Sequence, residues 1–272
     1  MKLAISNLAW EREDQAAVAE LIRATGGSGV ELAPTKIWEE PLSATDAEVS
    51  ECRQFWESFR IEIVALQSLL FDRPDLELFA GVDTRAEMLR YLSEMNQLGA
   101  RLGARVLVFG SPRNRQRHGL SDDEAAGIAV PFFRSLAADA AACGVTFCIE
   151  PNPEKYGCDW ITTSAEGLRL VEAVGSEGFG LHLDAGGMTL SAEDPMTSIA
   201  ACAHVLKHFH ISEPGLAAVG SAVSDGARHD EFARALDSAG YSGWKSIEMV
   251  PPVGNALEGI ETALRQSDRW YG

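Results

Sequence analysis

Short apolar runs rich in β-branched residues alternate along the chain with longer stretches whose apolar positions recur every three or four residues, from one end to the other. The short runs fall at 2–6, 29–33, 61–67, 105–109, 145–150, 180–184, 208–212 and 245–249 and predict eight strands. The clearest helical pattern between them is 84–102, where Met88, Tyr91, Leu92, Met95 and Leu98 share one face. Thr84 with Glu87, Thr45 with Glu48, Ser121 with Glu124 and Thr163 with Glu166 have capping-box spacing, which marks four helix starts independently of periodicity. Glycines at 26–27, 99, 103, 144 and 240 are expected to end helices, since glycine takes up the left-handed backbone of a helix terminus without steric cost. Pro131 interrupts a helical pattern and predicts a kink or a break.

Strict strand-then-helix alternation implies parallel strands, and eight such units favour closure into a (β/α)8 TIM barrel over an open doubly wound sheet. The first strand runs into Asn7, Leu8, Ala9 and Trp10 with no glycine-rich phosphate loop, so a dinucleotide-binding fold loses its main support. The 272 residues suit one barrel and contain no linker or low-complexity tract, so 1–272 is read as a single domain.

A barrel of this kind builds its active site at the C-terminal ends of its strands. The last four predicted strands end in Glu150, Asp184, His210 and Glu248, each about one strand-helix unit after the one before. Side chains alternate along a strand, so Phe147, Ile149, Leu181, Leu183, Phe209 and Ile247 face the helices while these four point inward. Three carboxylates brought together would repel one another and take up protons unless a cation neutralised them. One divalent metal ion is therefore expected, and the oxygen-rich set with one imidazole suits Mn2+, Mg2+, Co2+ or Zn2+.

Composition adds exclusions. With 46% hydrophobic and 23% charged residues and no apolar run near the ~20 that a membrane helix needs, a soluble, cytoplasmic protein with no membrane partner is expected. A formal net charge of −17 offers no footprint for a phosphate backbone, so nucleic acid is not expected as a partner. Five scattered cysteines without a C-x-x-C pair argue against a disulfide framework and a zinc knuckle. A homo-oligomer is left open.

The segments Ile149-Glu150-Pro151-Asn152, His182-Leu183-Asp184, His208-Phe209-His210-Ile211-Ser212 and Gly240-Tyr241-Ser242-Gly243-Trp244-Lys245-Ser246-Ile247-Glu248 resemble the sugar isomerase/epimerase superfamily with the xylose isomerase-like barrel. That superfamily includes ketose 3-epimerases, hydroxypyruvate isomerase, inosose dehydratase and the endonuclease IV branch. The resemblance implies a metal-dependent isomerase or epimerase of a small sugar or sugar derivative, acting by proton abstraction next to a metal-bound carbonyl, with Glu150 and Glu248 as the catalytic pair. A dehydratase of a keto-sugar or inosose and a non-catalytic sugar-binding protein are the alternatives. Ketose epimerases usually carry a histidine where this chain has Gly187 and an arginine where it has Leu216, so substrate recognition is expected to differ. The nuclease branch needs further histidines, and the regions after the third and fourth strands instead read Gln67-Ser68-Leu69 and Phe109-Gly110-Ser111.

Further candidates follow from position. Glu31 and Gln67, at the ends of the second and third strands, could bind substrate hydroxyls or support the metal ligands, and Trp10 could wall the pocket against a sugar face. Arg113 and Arg115 lie in the one basic cluster, after the fourth strand, and could bind a substrate anion. His229 precedes the seventh helix and is a polar candidate near the pocket. His182 and His208 sit two residues before metal-ligand positions, one layer deeper, and are candidates for the shell behind the ligands. Glu154, Tyr156 and Asp159, after Glu150, cannot be ranked by sequence alone.

Overall fold

The computed structural model describes residues 2–220 and 228–272. Eight strands, β1 (Leu3–Ser6), β2 (Gly29–Leu32), β3 (Glu62–Leu66), β4 (Val106–Phe109), β5 (Thr146–Ile149), β6 (Phe179–Asp184), β7 (Leu206–Ser212) and β8 (Lys245–Glu248), pair in parallel in sequence order. β8 closes on β1 through the pairs Leu3 with Lys245 and Ile5 with Ile247, which completes the expected (β/α)8 TIM barrel. The helices are α1 (Gln15–Ala24), α2 (Asp46–Ser58), α3 (Val82–Leu102), α4 (Asp122–Cys143), α5 (Ser164–Val174), α6 (Ala185–Leu190), α7 (Pro195–Cys202), α8 (His229–Ser238) and α9 (Ala256–Tyr271).

The apolar residues divide as strand alternation requires. Outward-facing Phe109 and Phe147 pack with Phe133 of α4 and Phe179, and Phe209 packs with Phe232 of α8 and Tyr271 of α9. Inside the barrel, Ala4, Val64 and Ala65, with Val106 and Trp244, form a separate apolar floor. Above it the lining turns polar: β6 and β7 lie in register with His182 beside His208 and Asp184 beside His210. A period-2 pattern thus stacks a histidine layer directly under the strand-end ligands.

Local signals hold in part. Thr45 with Glu48 and Ser121 with Glu124 form complete capping boxes. Thr163 receives the Glu166 amide, but the Glu166 carboxylate turns to Thr162 instead. Thr84 caps nothing, because α3 begins earlier, at Val82 after Gly81. Gly99 does not end a helix; it lies inside α3, where a Cβ would meet Leu107 Cδ1 at 2.9 Å, so its role is close approach to β4. Nor does Pro131 break α4: its ring is exposed and Gly127, four residues earlier, is exposed as well, so water can satisfy the carbonyl left without a partner.

By length and composition alone α4 could cross a membrane, although the sequence showed no continuous apolar run of that size. Here it is an outer helix of the barrel, with Ala125, Ala129, Phe132, Phe133, Leu136, Ala137 and Ala140 buried. The sixth unit holds two helices where one was expected, because the Asp184 side chain caps α6 and Pro195 starts α7 afresh.

Candidate metal centre

Glu150, Asp184, His210 and Glu248 meet at the top of the barrel, each offering a ligand atom within 4.8 Å of the others'. His210 Nδ1 lies 3.2 Å from Glu248 Oε2 and 4.0 Å from both Glu150 Oε1 and Asp184 Oδ2, and it hydrogen-bonds to none of them. Two of the four side chains, Asp184 and His210, are held from behind by hydrogen bonds, and Glu150 is held through its backbone. Asp184 Oδ1 accepts the Gly187 N–H at 2.6 Å, and Oδ2 accepts a short hydrogen bond from the Ser212 hydroxyl. His210 Nε2 lies 2.8 Å from Glu31 Oε2. Arg115 Nη2 donates to the Glu150 carbonyl at 2.7 Å. Gly110 gives the Glu150 side chain room, since a Cβ there would come within 1.9 Å of Oε2.

The electrostatics are those of a crowded, buried acid cluster. Burial, then the charges of Glu248 and Asp184, push the Glu150 carboxyl up to about 8 against the pull of His210 and Arg115. Burial and Glu248 likewise push Asp184 up to about 6. Burial works against a charged imidazole, yet the carboxylates of Glu31 and Glu248 hold His210 well above its ordinary range. Protons thus do part of what a divalent cation would do better. A buried imidazole nitrogen with no hydrogen bond, facing three carboxylates, fits a divalent metal by geometry and by donor type.

Beside the cluster is an open cavity of about 390 Å3. Glu150, Asp184 and Glu248 form its charged wall, and Gln67, Ser68, Ser111, Asn152 and Tyr156 supply neutral polar groups, with Val108, Pro112 and Leu216 as apolar surface. The Tyr156 oxygen accepts the Gly215 N–H at 2.7 Å and ties the loop after β5 to the loop after β7, where Leu216 adopts a left-handed backbone. The Val250 N–H, from the loop after β8, donates to the Leu216 carbonyl at 3.0 Å and holds that loop from its other side.

Several expected contacts are corrected. Trp10 does not reach the cavity; it is buried and packs edge-on against Trp56 of α2 with ring centroids 6.3 Å apart. Glu31 is fully buried beneath His210 and is unavailable to a substrate hydroxyl. Arg115 is also fully buried, drawn inward by the Glu150 carbonyl and the Phe109 ring 5.7 Å away, so it cannot bind a substrate anion. Arg113 is exposed outside the cavity lining, and its neighbours Arg117 and His118 are spent on Asp122 and Glu77. His229 is buried between α8 and α9, stacked on Trp270, with Nδ1 2.7 Å from the Tyr271 hydroxyl and Nε2 3.3 Å from Glu213 Oε1. Gln67 does line the cavity, and its Nε2 donates to Ser6 Oγ at 2.7 Å. His182 and His208 occupy the deeper layer, with His182 Nε2 3.6 Å from Glu150 Oε1.

Sequence reasoning gave no specific role to Tyr156 or Gly110. A glycine directly after an apolar strand was the available signal for Gly110, whereas Tyr156 depends on where a loop folds.

A closed parallel barrel with an acid-rich ligand cluster at its strand ends defines a class, and comparison bears it out. The chain belongs to the xylose isomerase-like TIM barrel family, whose model matches residues 19–267. No curated protein matches in sequence. Among solved structures, the chain is similar to D-psicose 3-epimerase with D-tagatose from Clostridium cellulolyticum H10, with a TM-score of 0.82 at 18% identity over 100% of this chain and 99% of that one. A D-psicose 3-epimerase structure determined in the presence of D-fructose gives 0.82 at 19% identity, covering 100% of both chains. The apo form of 3-keto-D-glucoside 4-epimerase from E. coli gives 0.81 at 16% identity, covering 99% of both. At these identities the likeness establishes the shared fold.

Proposed function

We propose that this protein is a divalent-metal-dependent isomerase or epimerase of a small, uncharged sugar or sugar derivative, with Glu150 and Glu248 as its proton-transferring pair. The carrying observation is the convergence of three carboxylates and one imidazole beside a cavity large enough for a hexose. When bound, the metal supplies a Lewis acid that polarises substrate oxygens and steadies the negative charge left by deprotonation. Glu150 and Glu248 stand at the cavity wall, one to remove a proton from carbon and the other to return one. Ser212 and Gly187 keep Asp184 oriented, and Arg115 fixes the backbone that carries Glu150.

The lining also supports the uncharged substrate. Among the described residues no lysine, arginine or histidine side chain lines the cavity, and residues 221–227, Ser-Ala-Val-Ser-Asp-Gly-Ala, contain none. Neutral hydroxyl and amide groups can recognise a polyol, whereas a phosphate would meet three acids without a cationic side chain.

The test incubates the metal-loaded protein with a panel of free ketoses and keto-sugars in deuterated water. Deuterium entering at a carbon beside the carbonyl, lost in Glu150→Gln and Glu248→Gln, supports the proposal. An enone without exchange would assign a dehydratase, and ligand-induced stabilisation without turnover would assign a binding protein. Turnover confined to phosphorylated sugars would overturn the uncharged-substrate reading.

A further inference from the structure

Beneath the metal cluster lies a polar layer that the proposed chemistry leaves unused: Glu31 on β2, His182 on β6 and His208 on β7, all fully or almost fully buried. A carboxylate in such surroundings is costly unless it is paired and hydrogen-bonded. Among the described residues Glu31 faces two imidazoles and hydrogen-bonds to one of them. Its Oε2 lies 2.8 Å from His210 Nε2, and its Oε1 lies 3.4 Å from His208 Nε2. A carboxylate with an imidazole nitrogen 2.8 Å from one oxygen and another 3.4 Å from the other is suited to act as an acceptor.

An ionised carboxylate can only accept hydrogen bonds, and a neutral imidazole has one N–H and one lone pair. The nitrogen facing Glu31 must therefore carry the proton. In neutral His210, the form that can bind a metal, that nitrogen is Nε2, which leaves Nδ1, facing Glu150, Asp184 and Glu248, as the one with a lone pair. We propose that Glu31 is a positioning residue that, from under the site, fixes His210 as its Nε2–H tautomer and thereby makes Nδ1 the metal-binding atom. This rests on the metal-centre reading above. His208 Nε2 stands 3.4 Å from Glu31 Oε1 without a hydrogen bond, so the directed contact that sets the tautomer is the one to His210. The same layer invites a competing use, an inner cation held by His182, His208 and His210, whose ring nitrogens approach within 4.8 Å of one another. The 2.8 Å contact with Glu31 argues against it, because a protonated Nε2 has no lone pair for a cation.

The test compares the wild-type chain with Glu31→Ala and Glu31→Gln, each stripped of metal and titrated with Mn2+ by calorimetry, with far-UV circular dichroism and thermal melts to verify folding. Wild type should bind one Mn2+ per chain. Glu31→Ala should bind roughly 10–100-fold more weakly, as loss of a carboxylate behind a ligating histidine generally does. Glu31→Gln, whose amide oxygen still accepts the N–H, should recover part of that loss. In 15N-labelled, Zn2+-loaded wild type, His210 should show a protonated Nε2 and a metal-shifted Nδ1, assigned by their absence in His210→Gln, and Glu31→Ala should lose this pattern. If Glu31→Ala does not fold, the near-isosteric Glu31→Gln carries the comparison. Unchanged Mn2+ affinity in a folded variant, ligation through Nε2, or two ions per chain would overturn the inference while leaving a metal centre in place. A wild type that binds no divalent metal would instead sink the metal-centre reading itself.

Discussion

Gly110 offers a perturbation whose size can be worked out from geometry. Its backbone lies outside the left-handed region, so alanine meets no conformational penalty there. The new Cβ, however, would stand 1.9 Å from Glu150 Oε2, whereas ordinary van der Waals contact begins at 3.4 Å. The carboxylate end must therefore shift by about 1.5 Å, several times the ~0.2 Å tolerance of a metal–ligand distance. The obstructing atom is the tip of a flexible side chain, so the chain can yield without unfolding. Gly110→Ala should melt within a few degrees of wild type, bind Mn2+ at least about 10-fold more weakly, and lose about 100-fold in turnover, the scale of a ~1 Å misplacement at a reacting centre. Competition against a fluorescent chelator measures the affinity, and deuterium exchange into substrate measures the chemistry. Wild-type Mn2+ affinity and exchange in a folded Gly110→Ala protein would refute the idea that Glu150 is held where a ligand must be.

Other outcomes follow from the same geometry. Glu150 and Asp184 have carboxyls raised above their unfolded values, so the stability they contribute to metal-depleted protein is complete below about pH 4 and is lost as pH rises through about 6 for Asp184 and about 8 for Glu150. A bound cation displaces those protons. The gap in melting temperature between metal-loaded and metal-depleted protein should therefore widen from pH 5 to 8, and a constant gap would count against the shifts. Calorimetry in buffers of different ionisation enthalpy should detect about one to two protons released per ion at pH 7, from Glu150 and His210. Trp10→Ala should cost about 3–5 kcal/mol in urea unfolding through loss of a buried aromatic against Trp56, whereas a rise in KM at unchanged stability would restore it to the pocket. Tyr156→Phe removes the acceptor of the Gly215 N–H and should raise KM more than it lowers kcat, with at most about 1 kcal/mol lost in stability; an unchanged KM would remove the loop link from substrate binding.

The barrel was readable because its cause is periodic: eight apolar runs alternating with amphipathic stretches leave few other ways to bury both faces of parallel strands. The ligand cluster was readable for the same reason, since alternation fixes which residues of 147–150, 181–184 and 208–210 face inward once the strand ends are known. What stayed hidden depends on distances that a pattern does not carry. Arg115 and Arg113 are two apart in one basic loop, yet the Glu150 carbonyl and the Phe109 ring draw one inside while the other stays in water. Trp10 follows β1 as a pocket residue might, but its environment is set by Trp56, 46 positions away in sequence. Gly187 was read as a missing histidine; its amide instead holds Asp184, a backbone role that no side-chain pattern announces.

Everything functional depends on a cation joining strands β5 to β8 at their upper ends. Anomalous diffraction from crystals of the full chain grown with Mn2+, collected on either side of the manganese edge, addresses this directly. A single anomalous peak at about 2.0–2.4 Å from carboxylate oxygens of Glu150, Asp184 and Glu248 and from His210 Nδ1 is the expected result. No peak there under saturating Mn2+, with the four side chains still together, would contradict it.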